Sequence, residues 1–414
     1  MPNASISNKF SIANFLDNLE LLLNNSQFKR ITNLTSGIIK HEGENTQSGL
    51  ENSMFVNWNQ SSIFRFFNSS TWSSEYNNSQ RVEEAINFTT RKAEKDETGF
   101  LIIDDTLTPQ SENNNRIEGL GYYKAPSSAD EKFWYSHCLV TSHFSMGKVS
   151  IPLDFELYQK EDYCQKNDWT FNTGLELGQN LIEQFDNFYD SNQRIYIMAD
   201  SWYTTEEFVN FSLNKGYDYI GAAPVNYTIE TKSGEVKISD FYSSLSEEDL
   251  DFVITDDNFY YVYEYQGSIG NIDCAKVLLC WENTFSTDEA PKCILTTDLS
   301  LDNSTIIEYY STRWEIETSY HYFKNELGLA DYKMHSLEAI IRYWQIVYLA
   351  YNYLEILKIL IPEEENLSYF ISLAKEYLTK SLIDYIHEAG KRGIPKDQLY
   401  DTLNLNGNSL QLAA

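Results

Sequence analysis

Four residues in the last third of this 414-residue chain have the types and spacing to bind a cation and an anion side by side. They are Tyr310, Arg313, Glu317 and Lys324, in the stretch YYSTRWEIETSYHYFK. On a continuous helix turning about 100° per residue, all four side chains fall within an arc of roughly 60°. A carboxylate on such a face can hold a divalent cation, and Arg and Lys can bind phosphate beside it. A solvated, ion-paired helix face is the alternative interpretation of the same pattern.

Further acids stand at the ends of two short apolar runs. Asp104 and Asp105 follow the run FLII, and Asp200 follows the run IYIMA. An acid at the C-terminal end of a central strand lies where α/β sheets bind their ligands. Neighbouring strand residues point to opposite faces, so only one of Asp104 and Asp105 can face a common site. The residues alone leave open which of the two it is.

The elements that would position these acids alternate between strands and helices. Hydrophobic periodicity predicts strands at 100–103, 133–142, 148–158, 195–199 and 217–223, with helices over 173–188 and 206–215. Three strands in a meander, followed by helix, strand, helix and strand, are the order of the ribonuclease-H-like fold. We therefore predict an α/β protein with a ribonuclease-H-like core.

Composition divides the chain into four predicted segments. Residues 1–98 form a helical domain of helix-turn-helix size, and residues 99–223 form the first part of the core. Residues 224–303 carry short aromatic strands between acidic turns, which predicts an inserted β domain rather than a continuation of the α/β sheet. Residues 304–414 are helical, with one long helix predicted over 304–326 and others over 336–360 and 367–390, broken at Pro362 and Pro395.

The composition of the chain argues against several classes of protein and of metal site. The chain has 31 basic and 61 acidic side chains, a net charge of −30, which taken alone argues against a nucleic-acid partner. The five scattered cysteines and six histidines fit neither a disulfide framework nor a zinc site. No apolar run reaches the length of a membrane span, and the N-terminus lacks the pattern of a signal peptide.

The four-residue pattern resembles the tyrosine–arginine–glutamate–lysine (YREK) signature of cut-and-paste insertion-sequence transposases of the DDE type. The spacing Y-x2-R-x3-E-x6-K matches without a gap. The strand ending in Asp-Asp-Thr at 104–106 is similar to the first-aspartate motif of these enzymes, and Asp-x-x-Tyr at 200–203 is similar to the second. The run CILTTDLS before the glutamate helix is also similar. The resemblance spans roughly residues 60–360.

This resemblance implies a DNA transposase that cuts and joins insertion-sequence ends by two-metal phosphodiester hydrolysis and transesterification. Asp105, Asp200 and Glu317 would be the catalytic, metal-binding acids. Asp105 is preferred to Asp104 because the family pattern places the acid directly before the threonine. Hard oxygen ligands without Cys or His indicate Mg²⁺, for which Mn²⁺ can substitute.

The partners implied by the resemblance are double-stranded DNA with terminal inverted repeats and a target DNA. Tyr310, Arg313 and Lys324 would contact the transposon end. Two ends must be brought together, which implies a homodimer on DNA. The expected location is the cytoplasm of a prokaryote, in association with the nucleoid.

The acidity of the chain conflicts with that expectation in one region. Residues 222–303 carry four basic and sixteen acidic side chains, so the near-neutral N-terminal segment is the better candidate for recognising DNA ends. The basic residues expected to do so are Lys29, Arg30, Lys40, Arg65, Arg81, Arg91, Lys92 and Lys95. Two alternatives stay open: a domesticated metal-dependent DNA nuclease, and a catalytically idle acidic DNA-mimic or scaffold protein. The resemblance also implies that an aromatic residue of the inserted β domain can stabilise a flipped base. Trp281 is a candidate, but a core tryptophan is the preferred interpretation.

Overall fold

The computed structural model describes residues 10–41, 60–114, 116–126, 129–232, 234–255, 258–361, 363 and 365–403. The chain forms two compact units. The first comprises 1–85, 107–138 and 319–414, and the second comprises 86–106 and 139–318. Each unit draws residues from at least three of the four predicted segments, and the four-segment division stays a prediction. Pro362, a predicted helix break, lies outside the described residues.

The order of strands and helices in the core follows the predicted alternation, but the strand predicted at 100–103 does not end before the aspartate pair and continues through Asp104 and Asp105 to Pro109. The helices are α1 (Ile12–Asp17), α2 (Asn25–Lys40), α3 (Gln60–Ser69), α4 (Ser74–Lys92), α5 (Glu161–Lys166), α6 (Gly174–Phe188), α7 (Glu206–Asn214), α8 (Ile238–Phe241), α9 (Asn303–Ser311), α10 (Trp314–Asn325), α11 (Leu337–Leu360), α12 (Leu367–Lys391) and α13 (Lys396–Thr402). The strands are β1 (Gly99–Pro109), β2 (Gly121–Lys124), β3 (Phe133–Met146), β4 (Val149–Tyr158), β5 (Ile195–Ala199), β6 (Asp218–Ala222), β7 (Thr228–Thr231), β8 (Gly234–Lys237), β9 (Asp251–Ile254), β10 (Phe259–Ile269), β11 (Ile272–Glu282) and β12 (Lys292–Thr296). No helix among the described residues is both long and apolar enough to span a membrane.

The first unit is mainly helical and is organised around α11. This helix is apolar on most of its surface and packs against α2, α3 and α12. Ser336 caps its N-terminus by accepting a hydrogen bond from the backbone N–H of Ala339. Burial on several sides explains why α11 shows little amphipathic pattern, because a helix surrounded by other elements is apolar all round.

The second unit is built on a mixed sheet. Its strand order is β4-β3-β1-β5-β6-β12-β11-β10, with β7 and β9 pairing with β10, and β8 with β7. The central strands β1, β5 and β6 run parallel, and their residues are almost entirely buried. Such burial on both faces is typical of parallel strands covered by helices. The order β4-β3-β1-β5-β6 is consistent with the predicted ribonuclease-H-like fold.

Helix α6 lies very close to this sheet. Its N-terminus carries a reciprocal cap, in which Thr173 and Glu176 each accept a backbone hydrogen bond from the other. A Cβ added at Gly178 would lie 2.9 Å from Phe208 and 3.2 Å from Ile103. The glycine therefore permits the close approach of α6 to β1, the strand that contains the aspartate pair.

The prediction that strands after residue 224 form a sheet apart from the α/β sheet is wrong. β12 pairs antiparallel with β6, from Ile294 opposite Ala222 to Thr296 opposite Ile220. β11 and β10 extend the same sheet beyond β12. The physical reason lies in β12, whose residues 293–296 are buried, so this strand belongs inside a covered sheet.

The prediction of one continuous helix over 304–326 is also wrong. Helix α9 ends at Ser311 and α10 begins at Trp314. Across the break, the backbone N–H of Thr312 donates to the carbonyl of Tyr309, and that of Arg313 to Tyr310. These are bonds to the third preceding residue, which tighten the turn and redirect the chain. Arg313 therefore lies in a turn between two helices.

Arg81 was expected on a DNA-binding surface but is buried in the first unit, with 1% of its surface exposed. Its guanidinium donates to Asn352 at 2.8 Å and to Asn78 at 2.7 Å. It also lies 5.1 Å from the ring centroid of Tyr348. A buried guanidinium with this set of partners is part of the core, so Arg81 is not available to DNA.

Candidate active site

Two acids lie at neighbouring positions of two adjacent parallel strands. β1 and β5 are in register from Gly99 opposite Ile195 to Ile103 opposite Ala199. Asp104 is the next residue of β1, which continues to Pro109, and Asp200 is the residue that follows β5. Side chains at paired positions point to the same face of a sheet, so both carboxylates project to one face. This register forms the centre of the candidate site.

Local hydrogen bonds fix the chain around Asp200. Its carboxylate oxygen Oδ1 accepts a hydrogen bond from the backbone N–H of Trp202 at 2.9 Å. Its backbone carbonyl accepts from the N–H of Tyr203 and the hydroxyl of Thr204, both at 3.2 Å. An aspartate that bonds the backbone two residues on makes a compact turn. The turn ends the strand and leaves the other carboxylate oxygen available for a ligand.

Asp104 and Asp105 differ sharply in their surroundings. The side chain of Asp104 is 15% exposed, and its Oδ2 lies 3.5 Å from Nη1 of Arg313. Burial, reinforced by the charges of Asp105 and Asp200, raises the pKa of Asp104 to about 8. Asp105 is exposed, and strand alternation turns it toward the other face. The geometry thus favours Asp104, the alternative that the sequence left open.

Arg313 connects the first acid to the glutamate. Its Nη2 lies 2.6 Å from Oε1 of Glu317, while Nη1 faces Asp104. The Arg313 side chain is 16% exposed and that of Glu317 33% exposed. The guanidinium Nε is buried and has no hydrogen-bond acceptor among the described residues. Arg313 therefore links Glu317, a predicted site acid, to Asp104, and its Nε–H is a further donor.

Tyr310 lies beneath this arginine. Its ring is buried, and the guanidinium carbon of Arg313 lies 5.9 Å from the ring centroid. Burial raises the pKa of the phenol, and the charges of the nearby Asp200 and Glu317 carboxylates raise it further. Tyr310 thus supports the arginine with its ring and stays protonated at neutral pH.

Lys292 is a neighbour of the site that the sequence analysis missed. It opens β12, and its Nζ lies 4.8 Å from the ring centroid of Tyr310. Partial burial and the positive charge of Arg313 lower the pKa of Lys292. The available signal was composition, because it is one of only four basic residues among the sixteen acids of residues 222–303.

The remaining predicted residues lie elsewhere. Lys324 belongs to the first unit, on the C-terminal half of α10, with its Nζ 5.7 Å from the ring centroid of Tyr320. Trp281 is 4% exposed and donates its indole N–H to the carbonyl of Glu289. This supports the interpretation of Trp281 as a core tryptophan.

The donor set of the site suits a hard divalent cation. Among the described residues, no three His, Cys, Asp or Glu side chains converge closely enough to hold a metal ion as they stand. Asp104, within β1, and Asp200, directly after β5, nevertheless offer carboxylate oxygens from adjacent strands, and their mutual repulsion contributes to the raised pKa of Asp104. Crowded carboxylates of this kind are stabilised by Mg²⁺ or Mn²⁺.

Comparison with known proteins gives one family match. Residues 171–353 match the family model described as a transposase DDE domain. The matched stretch covers less than half of the chain and begins after Asp104 and Asp105. It contains the other predicted site residues, which are Asp200, Tyr310, Arg313, Glu317 and Lys324. None of the curated proteins compared with the chain matches it. The family match supports a DDE-type transposase, an enzyme that acts on DNA.

Proposed function

We propose that this protein is a cut-and-paste DNA transposase that cleaves and joins the ends of an insertion sequence. The observation that carries the proposal is the register of β1 and β5, which sets Asp104 beside Asp200, with Arg313 linking Asp104 to Glu317. Three acids in this order, on two strands and a helix, suit phosphodiester chemistry on DNA. The match to the transposase DDE domain over residues 171–353 supports the same activity.

Asp104, Asp200 and Glu317 are the proposed acids of the reaction, with Asp104 in place of Asp105. Asp104 faces Arg313, and the charge of Asp200 helps to raise its pKa, whereas Asp105 is exposed. These carboxylates would hold Mg²⁺, or Mn²⁺ in its place. When bound, the ions supply activation of the attacking hydroxyl or water and stabilisation of the leaving oxygen.

Arg313 has two roles in this proposal. In the protein alone it pairs with Glu317 and lies against the carboxyl group of Asp104. On DNA its guanidinium donates to a phosphate oxygen, for which its buried Nε and fork geometry are suited. Tyr310 supports the arginine through its ring, and Lys324 is proposed to contact the transposon end. Two copies of the chain are proposed to act together, because two DNA ends must be joined.

A cleavage assay tests the proposal. The protein is incubated with duplex DNA carrying the sequences that flank its gene, with Mg²⁺ or Mn²⁺. We expect metal-dependent nicking at the repeat boundaries, lost in Glu317→Gln and kept in Glu308→Gln, an exposed glutamate of α9. Comparison of Asp104→Asn with Asp105→Asn identifies the first acid, and we expect the larger loss for Asp104→Asn.

Other outcomes identify the alternatives. Cleavage without regard to the repeat boundaries would favour a domesticated nuclease. A folded protein that neither binds nor cuts DNA with either metal would favour the acidic scaffold or DNA mimic, which its net charge of −30 suggests.

A further inference from the structure

Two cations share one aromatic ring beside the candidate acids. Nζ of Lys292 lies 4.8 Å from the ring centroid of Tyr310, and the guanidinium carbon of Arg313 lies 5.9 Å from the same centroid. A buried aromatic ring attracts cations and holds them in place. Lys292 begins β12 and Arg313 lies in the turn before α10, so the fold brings them together from two different elements separated by helix α9.

The electrostatic balance of the two cations is unequal. The charge of Arg313 is compensated by Glu317 at 2.6 Å, and the guanidinium also lies 3.5 Å from the carboxyl group of Asp104. Among the described residues, no carboxylate oxygen lies within 4.0 Å of Lys292. Burial, followed by the charge of Arg313, lowers the pKa of Lys292, and the more distant Glu282 and Glu317 offset this only in part. Two like charges held together in this way repel each other, and an anion bound between them removes that cost.

The other lysines of residues 222–303 lie in different surroundings from Lys292. Of the four lysines among the sixteen acids of residues 222–303, Lys276 is buried and bonded to Glu264 and the carbonyl of Leu301. Lys232 and Lys237 lie in or beside the exposed hairpin of β7 and β8. Lys292 alone in this set faces the ring of Tyr310, next to the acids proposed for catalysis.

We propose that Lys292 is a DNA-binding residue that, together with Arg313, holds a backbone phosphate next to the cleaved bond. This inference rests on the proposed transposase function and adds a residue outside the four-residue signature. An ammonium donates to phosphate as a point charge and a guanidinium through its fork, so the pair can contact separate oxygens of one phosphate. Neither contact reads a base, so the pair positions the strand without selecting sequence.

The test compares three variants, Lys292→Ala, Lys292→Arg and Lys237→Ala. Lys237 is an exposed lysine of the same acidic region and serves as the matched control. Binding to labelled duplex carrying the gene-flanking sequence is measured by fluorescence anisotropy over a range of salt concentrations. Each lost phosphate contact reduces the slope of log affinity against log salt by about 1.

We expect Lys292→Ala to lose about one unit of that slope and several-fold in affinity, while Lys292→Arg and Lys237→Ala keep both. Cleavage should fall in parallel in Lys292→Ala, with unchanged thermal stability. If the wild type cuts the ends and Lys292→Ala matches Lys237→Ala in slope and rate, the inference about Lys292 is wrong and the transposase function stands. If the wild type neither binds nor cuts, the proposed function fails, and the role of Lys292 fails with it.

Discussion

Nη2 of Arg313 lies 2.6 Å from Oε1 of Glu317, across the break between α9 and α10. The same guanidinium reaches Oδ2 of Asp104 at 3.5 Å. In the protein alone, a side-chain cation therefore lies against two of the oxygens that are proposed to hold metal ions. Metal binding and the Arg313 contacts compete for the same carboxylates, and this competition is measurable.

Replacing Arg313 by glutamine should strengthen the binding of divalent ions to the protein alone. Glutamine removes the positive charge that competes for Asp104 and Glu317. We expect a larger rise in melting temperature over a MnCl2 titration than in the wild type, and a several-fold lower apparent dissociation constant. Arg313→Lys keeps the charge and is the control. An equal or smaller rise in Arg313→Gln would show that the guanidinium does not compete with metal.

The raised pKa of Asp104 predicts a specific dependence of stability on pH. The pKa of Asp104 is about 8 in the folded protein, against 3.8 for an ordinary aspartate, the value taken for the unfolded chain. Between these two pH values the folded form binds one proton more than the unfolded form. Stability therefore falls as pH rises through this window, by at most about 1.4 kcal/mol per pH unit for this one proton.

Urea unfolding of the wild type and Asp104→Asn at about pH 5 and about pH 8.5 checks this dependence. Asparagine cannot ionise, so the variant should gain stability relative to the wild type as the pH rises. Asp105→Asn removes only one of the charges that raise the pKa of Asp104, so it should show a smaller pH-dependent difference of the same sign. A gain for Asp104→Asn that is the same at both pH values would contradict the raised pKa.

Much of the central sheet could be predicted because its strands are short apolar runs with clear ends. The run at 195–199 is β5 without any shift, and Thr173 at the start of the predicted helix is the cap of α6. The pairing of β12 with β6 was not predictable in the same way. The edge that an apolar strand joins is determined by contacts between residues distant in sequence. Local periodicity carries no information about such contacts.

The candidate site shows the same limit. The types and order of Asp200, Arg313 and Glu317 are local features, but the helix break at Thr312 is not visible in the 3.6-residue pattern. The choice between Asp104 and Asp105 needs the strand orientation, and the proximity of Lys292 to Tyr310 needs the sheet order. Each of these depends on tertiary structure.

Arg81 should matter for folding and not for DNA. Arg81→Met removes the hydrogen bonds to Asn352 and Asn78 and leaves the buried amide oxygen of Asn352 and the part-buried one of Asn78 without the charged donor. We expect a loss of about 2–4 kcal/mol in the free energy of unfolding. Arg65→Ala, at an exposed arginine of the same unit, should lose little stability. Urea unfolding measures the stabilities, and anisotropy measures the salt slope of DNA binding.

The slope distinguishes the two interpretations of Arg81. We expect it to be unchanged in Arg81→Met under conditions where the variant is folded. A reduction of the salt slope by about 1 without loss of stability would show that Arg81 contacts DNA after all.

Glu315 should position α10, which carries the proposed acid Glu317, against the sheet. Its Oε2 accepts a hydrogen bond from Ser150 at 3.0 Å, and the Ser150 hydroxyl lies 2.7 Å from Nε2 of His143. This chain of contacts ties the first turn of α10, which carries Glu317, to the β3–β4 hairpin. Glu315→Ala removes the tie, and Glu315→Gln retains an oxygen that can accept from Ser150.

We expect Glu315→Ala to lose about 1 kcal/mol of stability or less, because the side chain is exposed, and several-fold in cleavage rate. Affinity for duplex DNA should change little, since Glu315 itself would not contact phosphate. Glu315→Gln should recover most of the rate, which separates positioning from charge. Single-turnover cleavage at saturating enzyme measures the rate, and equal rates for Glu315→Ala and the wild type would show that the hairpin does not align α10.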